Sequence, residues 1–414
     1  MRLATVFKRV LRLARERVVD VEIRGEKDAE EIVVTIARDR RAKMRCPGCG
    51  YATRATYDRG VRSWRHLDCL RTRCLIRCEV RRIQCPTCGV VTEEVPWARA
   101  GARFTRGFED TCAWLAKAAP KSVVATLMRI DWDTVGRMIE RVVDEARGGA
   151  GADWLDGLTR IGVDEVAWRK GHRYLMVVTC HTTGRIVWTH PGRSKETLER
   201  FFAELGPERA RRLEAVSVDL VAGWPEVIER LAPQATICAD PFHVVALAGK
   251  ALDALRRQDW QRLRKEDPER AKWLKGTRFV LRRRSEDLKE EERSVIEDLA
   301  RTNERVYHGW LLYDQLRAVY QQADPDQAAN LFGSWLDAAF TSGLQPFEKL
   351  ACTLIDRTQD ILAAIELGVS NARTEAMNST VRLISHRSRG FKRLESLQAL
   401  LQLVCGKIPV ALPT

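Results

Sequence analysis

No apolar run in the sequence approaches the roughly 20 residues that a membrane-spanning helix requires. No internal repeat or low-complexity tract occurs either. The first absence excludes a helical membrane protein. The second, with 45% hydrophobic and 30% charged residues, excludes a disordered one. The opening segment, MRLATVFKRVLRLARER, is basic and amphipathic but lacks both a continuous apolar core and a cleavage site. It reads as a surface helix and not an export signal, so a cytoplasmic protein is expected. Acidic side chains are also in short supply: 56 Asp and Glu face 70 Lys and Arg, a net charge of +14. Such an imbalance in a globular chain points to a polyanionic partner, nucleic acid before others. A length of 414 residues suits two to four domains at roughly 100–200 residues each, with a core that needs no covalent staples.

What the sequence does have is cysteine in one place. Seven of its twelve cysteines fall between Cys46 and Cys88. In a reducing compartment a local cluster of this kind suggests metal and not disulfides. Cys46-Pro-Gly-Cys49-Gly50 and Cys85-Pro-Thr-Cys88-Gly89 repeat one pattern. Two residues between thiolates let both sulfurs face one tetrahedral zinc, and the trailing glycine permits the tight turn. Together Cys46, Cys49, Cys85 and Cys88 predict one structural zinc with no open coordination position. Cys69, Cys74 and Cys78 are expected to face the core. Cys112, Cys180, Cys238, Cys352 and Cys405, scattered among apolar neighbours, read as buried thiols. The same block is basic: from Ala37 to Gln84 there are 14 Lys or Arg against 4 Asp or Glu, interleaved with Tyr51, Tyr57 and Trp64. That surface suits phosphate contacts.

Before the cysteines, VVDVEIRG and EEIVVTIA read as a hairpin. After them, residues 107–146 read as three short helices in the manner of a helix-turn-helix. Asp131-Trp132-Asp133-Thr134 caps the third, from which Arg137 and Arg141 project toward DNA. GGAGAD at 148–153 is the clearest break in the chain. Beyond it TRIGVDEVAW, RYLMVVTCH and RIVWTH form an antiparallel meander. KETLERFFAELG, EAVSVDL, PEVIERLA, QATICAD and FHVVALAGKALDALRR then alternate helix and strand, giving the order β-β-β-α-β-α-β-α. Residues 259–365 carry no strand signal and read as a helical insertion. Its Trp260, Trp273, Trp310 and Trp335 are expected in its core. NARTEAMNSTVRLISHR, capped by Ser370 or Asn371, and RLESLQALLQLVC are the last helices.

Asp164 lies mid-strand among β-branched residues, where a carboxylate is costly unless it binds something. Asp219 and Asp240 end the fourth and fifth strands, His243 follows closely, and Glu375 sits on a late helix among Arg373, Arg382 and Arg387. An edge-adjacent first strand, a central fourth strand and a late helix can bring three carboxylates to one spot. Such a cluster would hold two magnesium or manganese ions for phosphodiester chemistry. Singly, Asp219 or Asp240 could instead cap the helix that follows, and Glu375 could pair with its arginines.

The stretches CPGCG, CPTCG, IGVDEVAWRKGHRY, VSVDL, PQATICADPFHVV and SNARTEAMNSTVRLISHRSRGF, in this order, resemble bacterial insertion-sequence transposases of the ISL-three group. These are members of the DDE superfamily with a ribonuclease-H-like core. The resemblance spans most of the chain from about residue 46. It implies a multidomain α+β protein: a hairpin and zinc ribbon-like domain at 1–100, a helix-turn-helix at 101–150, a ribonuclease-H-like core at 151–258 and 366–414, and the all-α insertion at 259–365. It implies Asp164, Asp219 and Glu375 as catalytic carboxylates. Asp240 and His243, in a D-x-x-H motif, would support them. Arg382, two helical turns past Glu375, would touch DNA with Arg373, Arg387 and Arg389. Asn371 stands where some relatives of the wider superfamily carry arginine, which puts that one DNA contact in doubt.

The implied reaction cuts double-stranded DNA at transposon ends and joins the 3′-hydroxyl to target DNA, in a homodimer or larger assembly associated with the nucleoid. Two other functions share the pattern. One is a zinc-containing regulator with a silent core; the other is a stand-alone nuclease or recombinase of the same fold.

Overall fold

The structure is a computed structural model. It describes residues 3–11, 16–26, 30–39, 41–148, 154–169, 171, 173–219, 223–369, 379–384, 391, 393–410 and 412. The chain divides into two compact units, Met1–Ala152 with Arg387–Thr414, and Asp153–His386. No helix among the described residues is long and apolar enough to cross a membrane.

The first unit opens with helix α1 (Leu3–Val10), then strands β1 (Arg17–Arg24), β2 (Glu31–Ala37), β3 (Met44–Arg45), β4 (Ala52–Thr53), β5 (Asp58–Cys69), β6 (Thr72–Cys85) and β7 (Gly89–Thr92). Its main sheet runs β1-β2-β6-β5, with β7 paired to β6. β1–β2 and β5–β6 are antiparallel, and β2–β6 is parallel. Every second residue of β6 (Cys74, Ile76, Cys78, Val80) is buried against Val34, Ile36, Trp64 and Trp97. This is the period-two pattern of a strand with one face in a core. Cys69, expected inside, is exposed at the end of β5, next to the hairpin turn. Helices α2 (Arg106–Ala118), α3 (Lys121–Met128) and α4 (Trp132–Gly148) follow. Thr105 caps α2 by accepting from the Phe108 amide.

The second unit contains β8 (Arg160–Arg169), β9 (Arg173–Cys180), β10 (Arg185–Pro191), α5 (Lys195–Leu205), α6 (Pro207–Ala210), β11 (Ala215–Val218), α7 (Pro225–Leu231) and β12 (Thr236–Ala239). The sheet order is β10-β9-β8-β11-β12. The first three strands are antiparallel; β11 lies parallel to both β8 and β12. The expectation of an edge-adjacent first strand is corrected here. β8 is central and β11 is second from the edge, because the meander stacks on one side of β8 while the crossover through α5 and α6 returns β11 to the other.

The helices from 241 onward are α8 (Pro241–Glu266), α9 (Pro268–Gly276), α10 (Glu290–Thr302), α11 (Glu304–Val319), α12 (Pro325–Phe340), α13 (Gln345–Ile355) and α14 (Thr358–Glu366). Their core joins Leu252, Leu255, Trp310, Phe332, Trp335 and Phe347, with Trp260 and Trp273 packed at its margin. Cys352 of α13 is exposed, not buried as expected, on a helix whose inward face is Phe347, Leu350, Ala351 and Leu354. Trp335 is fully buried, and its indole N–H donates to the Leu312 carbonyl at 2.7 Å. Trp335→Ala leaves a large cavity and removes the indole hydrogen bond to the Leu312 carbonyl. It should destabilise this unit by about 4 kcal/mol, seen as an earlier thermal transition with zinc content unchanged.

Residues 379–384 are helical. The final helix, α15 (Leu394–Cys405), lies in the 366–414 stretch expected to complete the core, and it packs on α4 and α2. Ser396 Oγ donates to Glu140 Oε1 at 2.6 Å, and Arg393 reaches the same carboxylate at 3.2 Å. A Cβ at Gly136 would stand 2.8 Å from Ser396 Oγ, so glycine is what admits the close approach.

Candidate functional site

Two clusters dominate. The first lies at the ends of β6 and β3, where Cys46, Cys49, Cys85 and Cys88 bring their sulfurs within 4.8 Å of one another. Gly50 and Gly89 take φ of +76° and +73°, the left-handed turn each knuckle needs. The amides of Cys49 and Gly48 donate toward Cys46 and lower its thiol to about 7. Hydrogen bonds with Cys46 and Cys49 push the Cys88 thiol up to about 12. Four sulfurs so crowded cannot all ionise unless a dication sits among them. Sulfurs bound about 2.3 Å from a tetrahedral zinc stand about 3.8 Å apart, and the Cys49 and Cys85 sulfurs are 3.4 Å apart. The residues therefore fit zinc.

The second cluster is acidic. Asp164 sits on β8 with its side chain on the sheet face opposite Ile161 and Val163, which point into the core. It is almost fully buried, and its Oδ1 accepts from the Glu165 amide at 2.6 Å. Asp219 directly follows β11. Asp240 directly follows β12 and caps α8, accepting from the Phe242 amide at 2.9 Å. The cap fixes the first turn of α8, and that turn carries His243. The imidazole Nδ1 lies 3.1 Å from Asp219, while Nε2 lies 3.9 Å from Asp164 and 3.5 Å from Asp240. Burial favours loss of the proton, but the hydrogen bond to Asp219 and the charges of Asp219, Asp240 and Asp164 outweigh it. The result is a pKa raised to about 9, so at neutral pH an imidazolium stands between the carboxylates. The His243 ring thus lies between Asp164 and Asp219, each facing a different ring nitrogen. Oxygen donors of this kind suit magnesium or manganese.

Glu375, Arg373, Arg387 and Arg389 lie outside the described residues, as do Ser370 and Asn371. Arg382 is exposed on the helical stretch 379–384. Arg137 is exposed on α4 and pairs with Asp133 at 2.8 Å, one turn away. Arg141 is committed differently. It joins Arg99 in neutralising Glu109, whose side chain is completely buried. A second titratable group near the acids was not singled out in the sequence. The Tyr320 hydroxyl is buried without a hydrogen-bond partner among the described residues, and burial, then the Asp240 charge, raise its pKa. No local pattern marks it, because Tyr320 directly follows α11, 80 positions from Asp240.

Known proteins carry the same parts in the same order. Residues 42–88 match the zinc-finger of transposase IS204/IS1001/IS1096/IS1165. Residues 93–143 match the helix-turn-helix domain of transposase family ISL3, and residues 161–401 match the ISL3 transposase model of the DDE type. The transposase for insertion sequence element IS1557 of Mycobacterium tuberculosis is 36% identical over 100% of this chain and 98% of its own length. The transposase for insertion sequence element IS1001 of Bordetella parapertussis is 29% identical over 85% of this chain and 86% of its own. A zinc ribbon, a helix-turn-helix and an acid-bearing mixed sheet define a metal-dependent enzyme that cuts and transfers DNA strands. The chain belongs to the ISL3 family of insertion-sequence transposases.

Proposed function

We propose that the chain binds the terminal inverted repeats of its insertion sequence through the zinc ribbon and α4. It hydrolyses a strand at each end, then joins the freed 3′-hydroxyl to target DNA on a ribonuclease-H-like core. The strand order, three antiparallel strands followed by two parallel ones, supports that core, and residues 259–365, the end of α8 with α9 to α14, are then an all-α insertion within it. Asp164, Asp219 and Glu375 would hold two magnesium or manganese ions. When bound, such a pair activates the attacking oxygen and stabilises the leaving one. Asp240 anchors α8, and His243 balances the carboxylates from there. Arg373, Arg382, Arg387 and Arg389 would neutralise DNA phosphates beside the acids, and Arg137 those beside α4. Two ends must meet, so the working form is a homodimer or larger, acting on the nucleoid in the cytoplasm.

The observation that carries this reading is the convergence of Asp164 and Asp219 on the His243 ring. The test is cleavage and joining of a duplex bearing the element's own end, with magnesium or manganese. Wild type should cut and join, and Glu375→Gln should lose both while binding the duplex as before. Unchanged cutting by Glu375→Gln would remove it from the triad. Tight binding without cutting by wild type in either metal would favour the regulator reading.

A further inference from the structure

The hairpin of β5 and β6 turns through two residues, Leu70 and Arg71, between the paired Cys69 and Thr72. Leu70 has a φ of +56°. The first position of a two-residue hairpin turn needs a positive φ and is ordinarily filled by glycine or asparagine. A leucine there strains its backbone. Its side chain gains nothing by packing, being 97% exposed, the most exposed of the large hydrophobic residues described. A residue that disfavours the turn and touches no core calls for a partner outside the fold.

The position of the tip says which partner. One extra residue between His66 and Cys69 makes a bulge that twists the hairpin end. The end is strapped to the α3–α4 turn. Arg129, itself at φ +53°, donates from Nε to Asp68 at 3.1 Å and from Nη1 to the Arg71 carbonyl at 2.8 Å. Arg65 donates to the Arg129 and Met128 carbonyls at 2.9 and 3.1 Å. The tip is thus fixed three residues before Trp132, where α4 begins. Its one acid, Asp68, is consumed by Arg65 and Arg129. The exposed Arg71 has no carboxylate partner among the described residues, whereas Arg73 pairs with Glu31 at 3.7 Å.

We propose that this tip is a DNA wedge. Leu70 enters the groove next to the one that α4 reads and presses on a base step, while Arg71 holds the flanking phosphate. The inference rests on the proposed DNA-reading role of α4, and it adds a second, apolar contact held rigidly beside that helix.

The test uses the full chain and duplexes carrying the element's end, with 2-aminopurine moved through the sequence to report unstacking. Leu70→Gly relieves the left-handed strain, so its melting temperature should not fall below wild type. Its affinity for the duplex should drop about tenfold, and the 2-aminopurine signal seen with wild type should vanish. Leu70→Met should retain both. Arg137→Glu is measured alongside. If it binds weakly while Leu70→Gly matches wild type in affinity and fluorescence, the wedge is overturned and the α4 reading stands. If both variants bind as wild type, the α4 reading fails and takes the wedge with it. A Leu70→Gly change confined to sedimentation, with DNA binding intact, would make the tip a contact between chains and overturn the inference.

Discussion

Cys85→Ser is expected to abolish zinc retention and, with it, specific binding to the element's end. Cys85 is buried beside Met44, Cys46 and Ile83, a cluster too small to fold alone. The zinc supplies what that core lacks: structural zinc binding is worth about 10–16 kcal/mol, and in such modules it is folding energy. Serine offers a poor ligand at one of the two buried corners of the site, so both knuckles and the β6–β7 turn should come apart. Losing one of two DNA-reading modules moves the protein toward non-specific binding, a loss on the order of 10³-fold. Zinc content by elemental analysis and affinity by gel shift would measure the two effects. Cys69→Ser is the control, because Cys69 is exposed and outside the sulfur cluster. Full zinc in Cys85→Ser would refute a four-sulfur site.

Asp164→Asn should reduce strand cleavage by at least about 10³-fold, a loss of about 4 kcal/mol of transition-state stabilisation, with DNA affinity unchanged. The amide is nearly isosteric and can still accept from the Glu165 amide, so the strand has no reason to move. What it loses is negative charge at the point where His243 already shows that a cation is welcome. Single-turnover cleavage of a pre-nicked and an intact duplex would separate the joining step from the first cut. Retention of more than about a tenth of wild-type cleavage would mean that Asp164 does not touch the reacting atoms.

Much of this was legible in the sequence because it is local. A thiolate pair two residues apart, or an acid at the end of an apolar run, declares its geometry within five or six positions. The three helices before the break and the strands after it follow from periodicity. What failed to show was partnership. The apolar face of LESLQALLQLVC says that the helix must be covered but not by what, and α4 turned out to be the cover. Arg141 has Asp144 and Glu145 three and four residues on, yet its partner is neither. Its partner, Glu109, lies 32 residues earlier on another helix and is wholly buried. The place of β8 at the centre of its sheet depends on which side a crossover returns, and hydrophobic patterning is blind to that. His243 was expected to support the acids. That one ring would reach three carboxylates needed coordinates.

The return of α15 to the first unit bears on how the protein is born. The zinc knuckles and α4 leave the ribosome before α15, the helix that packs on α4. A chain terminated before α15 therefore leaves the α4 surface around Gly136 and Glu140 without that cover and would be prey for proteases that recognise loose helices. Fragments able to occupy a DNA end but unable to process it would then be removed, and stable DNA binding would await the arrival of α15.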